Sequence, residues 1–175
     1  MLAIPPEISV LCFDYECFKI IGKTLRKSME TPMTKQEIIY LTPAEAKRLE
    51  AIKRRYREQA RRKFEERVAF YHPLTGGHYT SITIRDQKSR WGSCSSRGTL
   101  SFNYRLIFAP PEILDYVVVH ELCHLTHMNH SKDFWNKVAS VMPDYKTHRK
   151  WLKEHGHELS AEQHLEKLGI PIKLD

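Results

Sequence analysis

Residues 117–130 read VVVHELCHLTHMNH, with four histidines in eleven residues and a glutamate beside the first. This stretch limits what the chain can be more than any other. On a helix, about 100° and 1.5 Å per residue put His120 and His124 about 40° apart around the axis and about 6 Å along it. Both imidazoles can then reach one ion at about 2.0–2.1 Å. Val118, Leu122 and Leu125 fall on the opposite side, so one face can hold a metal while the other enters a core. Glu121 projects about 60° from His124, beside the ion without having to ligate it. A general base must stand there to take a proton from a water that the ion activates.

A third ligand must be His127 or His130. On a straight helix His127 lies about 10 Å along the axis from His120, too far to share the ion. His130 can return only if the helix ends before it. Asn129 tolerates the left-handed conformation that terminates helices, and Ser131 can cap a fresh helix. The expected ligands are therefore His120, His124 and His130, with His127 at the surface or behind a ligand. Three imidazoles leave a fourth position open, as in catalytic rather than structural zinc sites. Glu121 is the expected catalytic base. A second electrophile is also expected, and Arg90, Tyr104, Tyr145 and His148 are candidates; Arg90 and Tyr104 are further taken as substrate-binding. Cys123 points away from the His120/His124 midpoint and reads as a small buried residue. Cys94 reads as a packing residue, and Cys12 and Cys17 have no partner pair for a second zinc site.

The remaining chain organises around this helix. Ile8–Phe13 and Cys17–Ile21 are candidate short strands. Thr42-Pro43-Ala44-Glu45 is a helix start with a capping box, and Leu49, Ile52, Tyr56, Ala60 and Phe64 share one face. That helix is expected to end near Phe70, ahead of His72-Pro73. Tyr79–Arg85 and Thr99–Phe108 read as strands, with SRWGSCSSRG between them as turns. Pro110-Pro111-Glu112 opens the histidine helix. Ser131 caps a helix stopped by Pro143, Asp144 caps another ending near Gly156, and a last short helix runs from Ser160 to Gly169.

The net charge of +7 is concentrated between Thr42 and Val68, where ten Lys/Arg outnumber five Asp/Glu. A basic helix over 43–70 could touch nucleic acid or another anion weakly, but interspersed acids favour a solvated face laced with charge pairs. The longest apolar runs are far shorter than the roughly 20 residues of a membrane span. The first ten residues lack the features of a signal peptide, and the cysteines show no CxxC pairing. A cytoplasmic, monomeric protein is expected, with no membrane association.

The stretch IRDQKSRWGSCSSRGTLSFNYRLIFAPPEILDYVVVHELCHLTHMNHSKDFW, residues 84–135, resembles the YgjP-like metallopeptidase family. The matching blocks are Arg90-Trp91-Gly92-Ser93-Cys94, Asn103-Tyr104-Arg105-Leu106, Ala109-Pro110, the HELCH run, and Asn129-His130-Ser131 followed by Phe134-Trp135. The resemblance implies an α+β, zincin-like fold: a small antiparallel or mixed sheet packed on the active-site helix, with further helices after it. It also implies zinc on His120, His124 and His130, with Glu121 as base. The hydrolase domain would span 41–175. Residues 1–40 lack the strand meander expected ahead of the family's helix and stay unassigned. No cysteine follows Cys123, which disfavours the related SprT-like proteases with their cysteine zinc ribbon.

Three functions are compatible with this reading. The first is a zinc peptidase in which Thr99–Ile107 accepts an extended peptide by strand addition. The second is a metal-dependent hydrolase of nucleoside triphosphates such as UTP, an activity assigned to some family members. The third is a zinc-stabilised nucleic-acid-binding module without catalysis, disfavoured by Glu121 and the open fourth position. A zinc-dependent hydrolase acting on peptide is the reading favoured here.

Overall fold

The computed structural model describes residues 43–164, apart from Lys88, Glu162 and the side chain of Glu45. The expected strands before residue 40, Cys12, Cys17, the Thr42 cap and the end of the Ser160–Gly169 helix lie outside the described residues. The chain divides into two compact units, Met1–Leu49 with Lys173–Asp175, and Glu50–Ile172. Of the first, only the opening turns of helix α1 are described. All that follows concerns the second.

Helix α1 spans Pro43–Thr75, strands β1, β2 and β3 span Ser81–Arg85, Gly92–Cys94 and Thr99–Asn103, and a 3₁₀ turn covers Tyr104–Phe108. Helices α2, α3 and α4 follow at Pro111–Cys123, Lys132–Val141 and Tyr145–His155, and Gly156–Glu158 is a second 3₁₀ turn. The sheet order is β1-β3-β2, with β1 parallel and β2 antiparallel to β3. A mixed three-stranded sheet with helices is the expected α+β class.

Several boundaries differ from the sequence reading for local reasons. Helix α1 runs five residues past Phe70 and carries Pro73 in its last turns. Proline removes one N–H and disfavours helix in the residue before it, but near a helix end few bonds remain to lose. The stop comes at Gly76, whose φ of 65° suits only a residue without a side chain penalty there. Its N–H donates to His72 O at 2.9 Å, and Thr75 Oγ1 donates to the Tyr71 and His72 carbonyls.

The expected strand Thr99–Phe108 ends at Asn103. That side chain accepts from Arg105 N at 3.2 Å, which turns the chain into the 3₁₀ segment. Its Nδ2 donates to the Gln87 and Arg90 carbonyls, so one buried amide also anchors the loop before β2. Residues 92–94, expected as turn, form β2 through pairing with β3. Because β3 is paired on both sides, Thr99–Ile107 cannot accept a peptide strand, which corrects that expectation.

Helix α2 is the centre of the unit. Ile113, Leu114, Tyr116, Val117, Val118, Val119, Leu122 and Cys123 are all buried, so apolar groups surround it rather than line one stripe. Phe64 and Val68 of α1, Leu100 and Phe102 of β3, and Phe134 and Val138 of α3 fill the same core. Phe64 stacks on Phe102 with ring centroids 4.5 Å apart. Polar ties fix the orientation. Arg67 on α1 grips Asp115 in the first turns of α2 through two bonds of 2.6 and 2.7 Å, and Tyr71 Oη donates to the same carboxylate. Asp86 at the end of β1 holds Arg57 and Arg105.

Among the described residues such contacts engage five of the ten Lys/Arg residues of α1. Lys53 and Arg57 meet Glu50, Arg61 meets Glu65 and the Ile82 carbonyl, and Lys63 meets Glu66. The helix is thus laced with charge pairs, while Lys47, Arg48, Arg54, Arg55 and Arg62 stand exposed.

Helix α2 approaches β2 so closely that a Cβ on Gly92 would stand 2.5 Å from Glu121 Oε1 and 2.7 Å from its Cγ. Only glycine leaves that space. Gly92→Ala should therefore destabilise the fold by about 1–3 kcal/mol through overpacking. In a Glu121→Ala background the same change should cost far less, because the colliding atoms are gone. Urea denaturation of the four proteins in this cycle measures the difference. Arg67→Ala should lower stability by about 2 kcal/mol, the scale of a hydrogen bond to a charged group left unmade in a half-buried setting. The urea midpoint reads this directly.

Candidate metal centre and its surroundings

The last turn of α2 carries His120, and α2 ends at Cys123 with His124 as its C-cap. The termination is tight. Leu125 N and Thr126 N donate to the Leu122 and Cys123 carbonyls, His127 N also donates to Cys123 O, and Thr126 Oγ1 joins them. The break thus falls at 124–127, before Asn129. Asn129 acts otherwise: its Oδ1 accepts from Ser131 N. Ser131 then caps α3 by accepting from Phe134 N. This path returns His130 to α2.

The outcome is a cluster of three ring nitrogens. His120 Nε2 lies 3.2 Å from His124 Nε2 and 3.0 Å from His130 Nε2, and the three donor atoms all fall within 4.8 Å of one another. The corners of a tetrahedron drawn at zinc–nitrogen distances are about 3.3 Å apart. His124 Nδ1 is 2.9 Å from the His127 carbonyl, which can only accept. That nitrogen therefore carries the proton, and Nε2 presents a lone pair to the cluster. His127 contributes through its backbone, while its half-buried ring pairs with Thr126 Oγ1. His120 Nδ1 is buried with no hydrogen-bond partner among the described residues. Its ring is held by aromatic packing instead.

Phe134 supplies much of that packing. It is fully buried, stacks on His124 at 4.5 Å, and meets His120 and His130 edge-on at 4.9 Å each. Trp135 stacks on His130 at 5.5 Å and on Tyr145 at 5.2 Å. Burial, followed by the neighbouring His124 and His130, pushes His120 down to about 3, and burial lowers His124 as well. Neutral imidazoles with converging lone pairs are the form that binds a cation. The residues present fit a divalent metal.

Glu121 is 5% exposed and packed against β2 at Gly92. Burial alone raises its carboxyl to about 8. A dication among the imidazoles would pull that value down again. Cys94, half-buried in β2, feels the Glu121 charge, and burial with that charge raises its thiol to about 11, so it is neutral. Cys123 is fully buried, as expected.

The other candidates separate. Tyr145 and His148 lie on α4, beside Trp135 and Tyr116 respectively; His148 also pairs with Asp144 at 3.1 Å. Arg90 is exposed in the loop before β2. Tyr104 is 0% exposed, beneath Arg57 and beside Phe108, so a substrate could touch it only if the core opened. Sequence reasoning missed Gly92, Phe134, Trp135 and the His127 carbonyl. Gly92, Phe134 and Trp135 stood inside recognised motif blocks, but nothing in their spacing tied them to the imidazoles.

Among the described residues no helix is long and apolar enough to cross a membrane. Comparison with curated proteins gave no match. The solved structure of the metallopeptidase zymogen of Pyrococcus abyssi abylysin is similar at 26% identity and a TM-score of 0.46, over 51% of this chain and 93% of that one. The family described as "YgjP-like, metallopeptidase domain" matches residues 12–155. With most of its length matched, including the zincin-like helix and its histidines, the chain belongs to the YgjP-like metallopeptidase family.

Proposed function

We propose that this protein is a zinc-dependent peptidase, with zinc held by His120, His124 and His130 and with Glu121 as general base. The observation that carries the reading is the convergence of three imidazole Nε2 atoms one residue from a buried carboxylate. An all-nitrogen donor set suits zinc better than magnesium or calcium, which take oxygen ligands. Bound zinc would supply Lewis acidity, lowering the pKa of water toward 7 and polarising a carbonyl. The chain's own residues do the rest. Glu121 accepts a proton at its carboxylate and returns it to the leaving amine. Phe134 and Trp135 keep water and competing ligands from the inner side of the imidazoles. The His127 carbonyl holds His124 in one tautomer.

The peptide reading follows from the family and from the sheet. Among the described residues β2 has a partner on one side only, and it borders Glu121. Its open edge can pair with an extended peptide, which main-chain hydrogen bonds would align past the base. Arg90, in the loop leading into β2, is assigned to substrate contact. The nucleotide alternative has less behind it, because the family is described as a metallopeptidase and five of the ten cations of α1 are engaged with acids or carbonyls among the described residues.

Zinc-loaded protein should cleave an unfolded protein substrate and leave UTP intact, followed by peptide mapping and pyrophosphate release. Glu121→Gln should retain one equivalent of zinc and lose at least about 10²-fold in turnover, the smaller end of general-base effects. Unchanged turnover in that variant would remove Glu121 from catalysis, and Glu121-dependent release of pyrophosphate would transfer the activity to nucleotides. In zinc titrations, His130→Ala should bind at least about 10-fold more weakly. His127→Ala should bind as the parent does, since its carbonyl remains; the opposite ranking would move the third ligand to His127.

A further inference from the structure

A cation stands close to the imidazole cluster without an acid to neutralise it. Arg149, one turn after Tyr145 on α4, is exposed and forms no ion pair among the described residues. Its guanidinium lies over the Trp135 indole, 4.9 Å from the ring centroid. The same indole lies 5.5 Å from the His130 ring and 5.7 Å from the His120 ring. The indole is thus a contact shared by the guanidinium and two of the three imidazoles. Its charge is felt at His120 and at the Tyr116 hydroxyl, where the Glu121 charge is also felt.

An arginine held over an aromatic ring, with no acid on it among the described residues, is positioned by cation–π attraction while its N–H donors stay available. Peptide hydrolysis places negative charge on the former carbonyl oxygen in the transition state, and a fixed donor aimed at that oxygen lowers the barrier. Glu121 borders β2, whereas Arg149 comes from α4, so base and cation reach the cluster from different elements. We propose that Arg149, stacked on Trp135, is the second electrophile of the reaction and donates to the substrate's carbonyl oxygen as it becomes an oxyanion. This rests on the peptidase reading above. None of the candidates expected from sequence is cationic at this place: Arg90 lies in the loop before β2, and Tyr145 supports the same indole.

The test uses the full chain loaded with zinc for kinetics and with cobalt(II) for spectroscopy. Arg149→Met keeps an unbranched stem over Trp135 and removes the charge. Its turnover number should fall about 10²–10³-fold, the scale of losing one oxyanion donor, with KM within about threefold. A peptide phosphinate, whose tetrahedral anion imitates the transition state, should lose affinity in parallel when titrated against the cobalt absorption bands. Those bands should be the same in parent and variant before the phosphinate is added. Unchanged turnover, or a rise in KM alone, overturns the proposal. If the parent hydrolyses no peptide, the peptidase reading fails on its own, and the phosphinate titration still decides the role of Arg149. Weaker binding in Arg149→Met then sustains it, whereas equal binding, or none by either protein, overturns it.

Discussion

Everything described here is arranged around the burial of α2. Eight of its eleven residues from Ile113 to Cys123 are apolar and buried, so most of the helix surface cannot face water without loss. Each buried valine or leucine contributes about 1.5–3 kcal/mol, so covering the helix on every side dominates the energetics of the unit. The sheet, α1, α3 and α4 are the covers. Its C-terminal end bears His120 and His124, the first half-buried and the second buried.

That burial also sets the chemistry. His120 and His124, placed against Phe134 and beside a core, lose hydration, which favours their neutral forms, and burial lifts Glu121 toward neutrality beside them. Three lone pairs directed at one point, with a protonated Nδ1 on the far side of His124, leave no internal donor to satisfy them all. A divalent cation answers that arrangement. The glycine at position 92 belongs to the same economy of space, since it lets a strand edge lie directly on the carboxylate. The strand is thereby brought to Glu121 and the imidazoles by packing rather than by chain proximity.

The aromatic layer of Trp135 links the two later helices to this centre. It receives His130 from the chain just before α3 and Tyr145 and Arg149 from α4. An indole can bind a ring and a guanidinium in stacked contact without a hydrogen bond, so it positions both while leaving their polar atoms free for other partners.

Much of the centre was legible before the fold was known. Helical geometry alone pairs His120 with His124, sets Glu121 beside them and requires a break before His130, because these follow from 3.6 residues per turn. Ser131 announces α3 by its capping chemistry. Other features depended on contacts distant in sequence. The strand character of 92–94, the central place of β3 and the enclosure of Tyr104 were each decided by neighbouring elements. Local rules read one turn of chain at a time, and such rules cannot show which edge of a sheet is left open or what lies across it. The sequence by itself determined a helix with a histidine-bearing end; only tertiary packing decided that a glycine edge lies on Glu121 and that an arginine rests on the indole beside the imidazoles, because those contacts exist only when separate elements bury their apolar faces together.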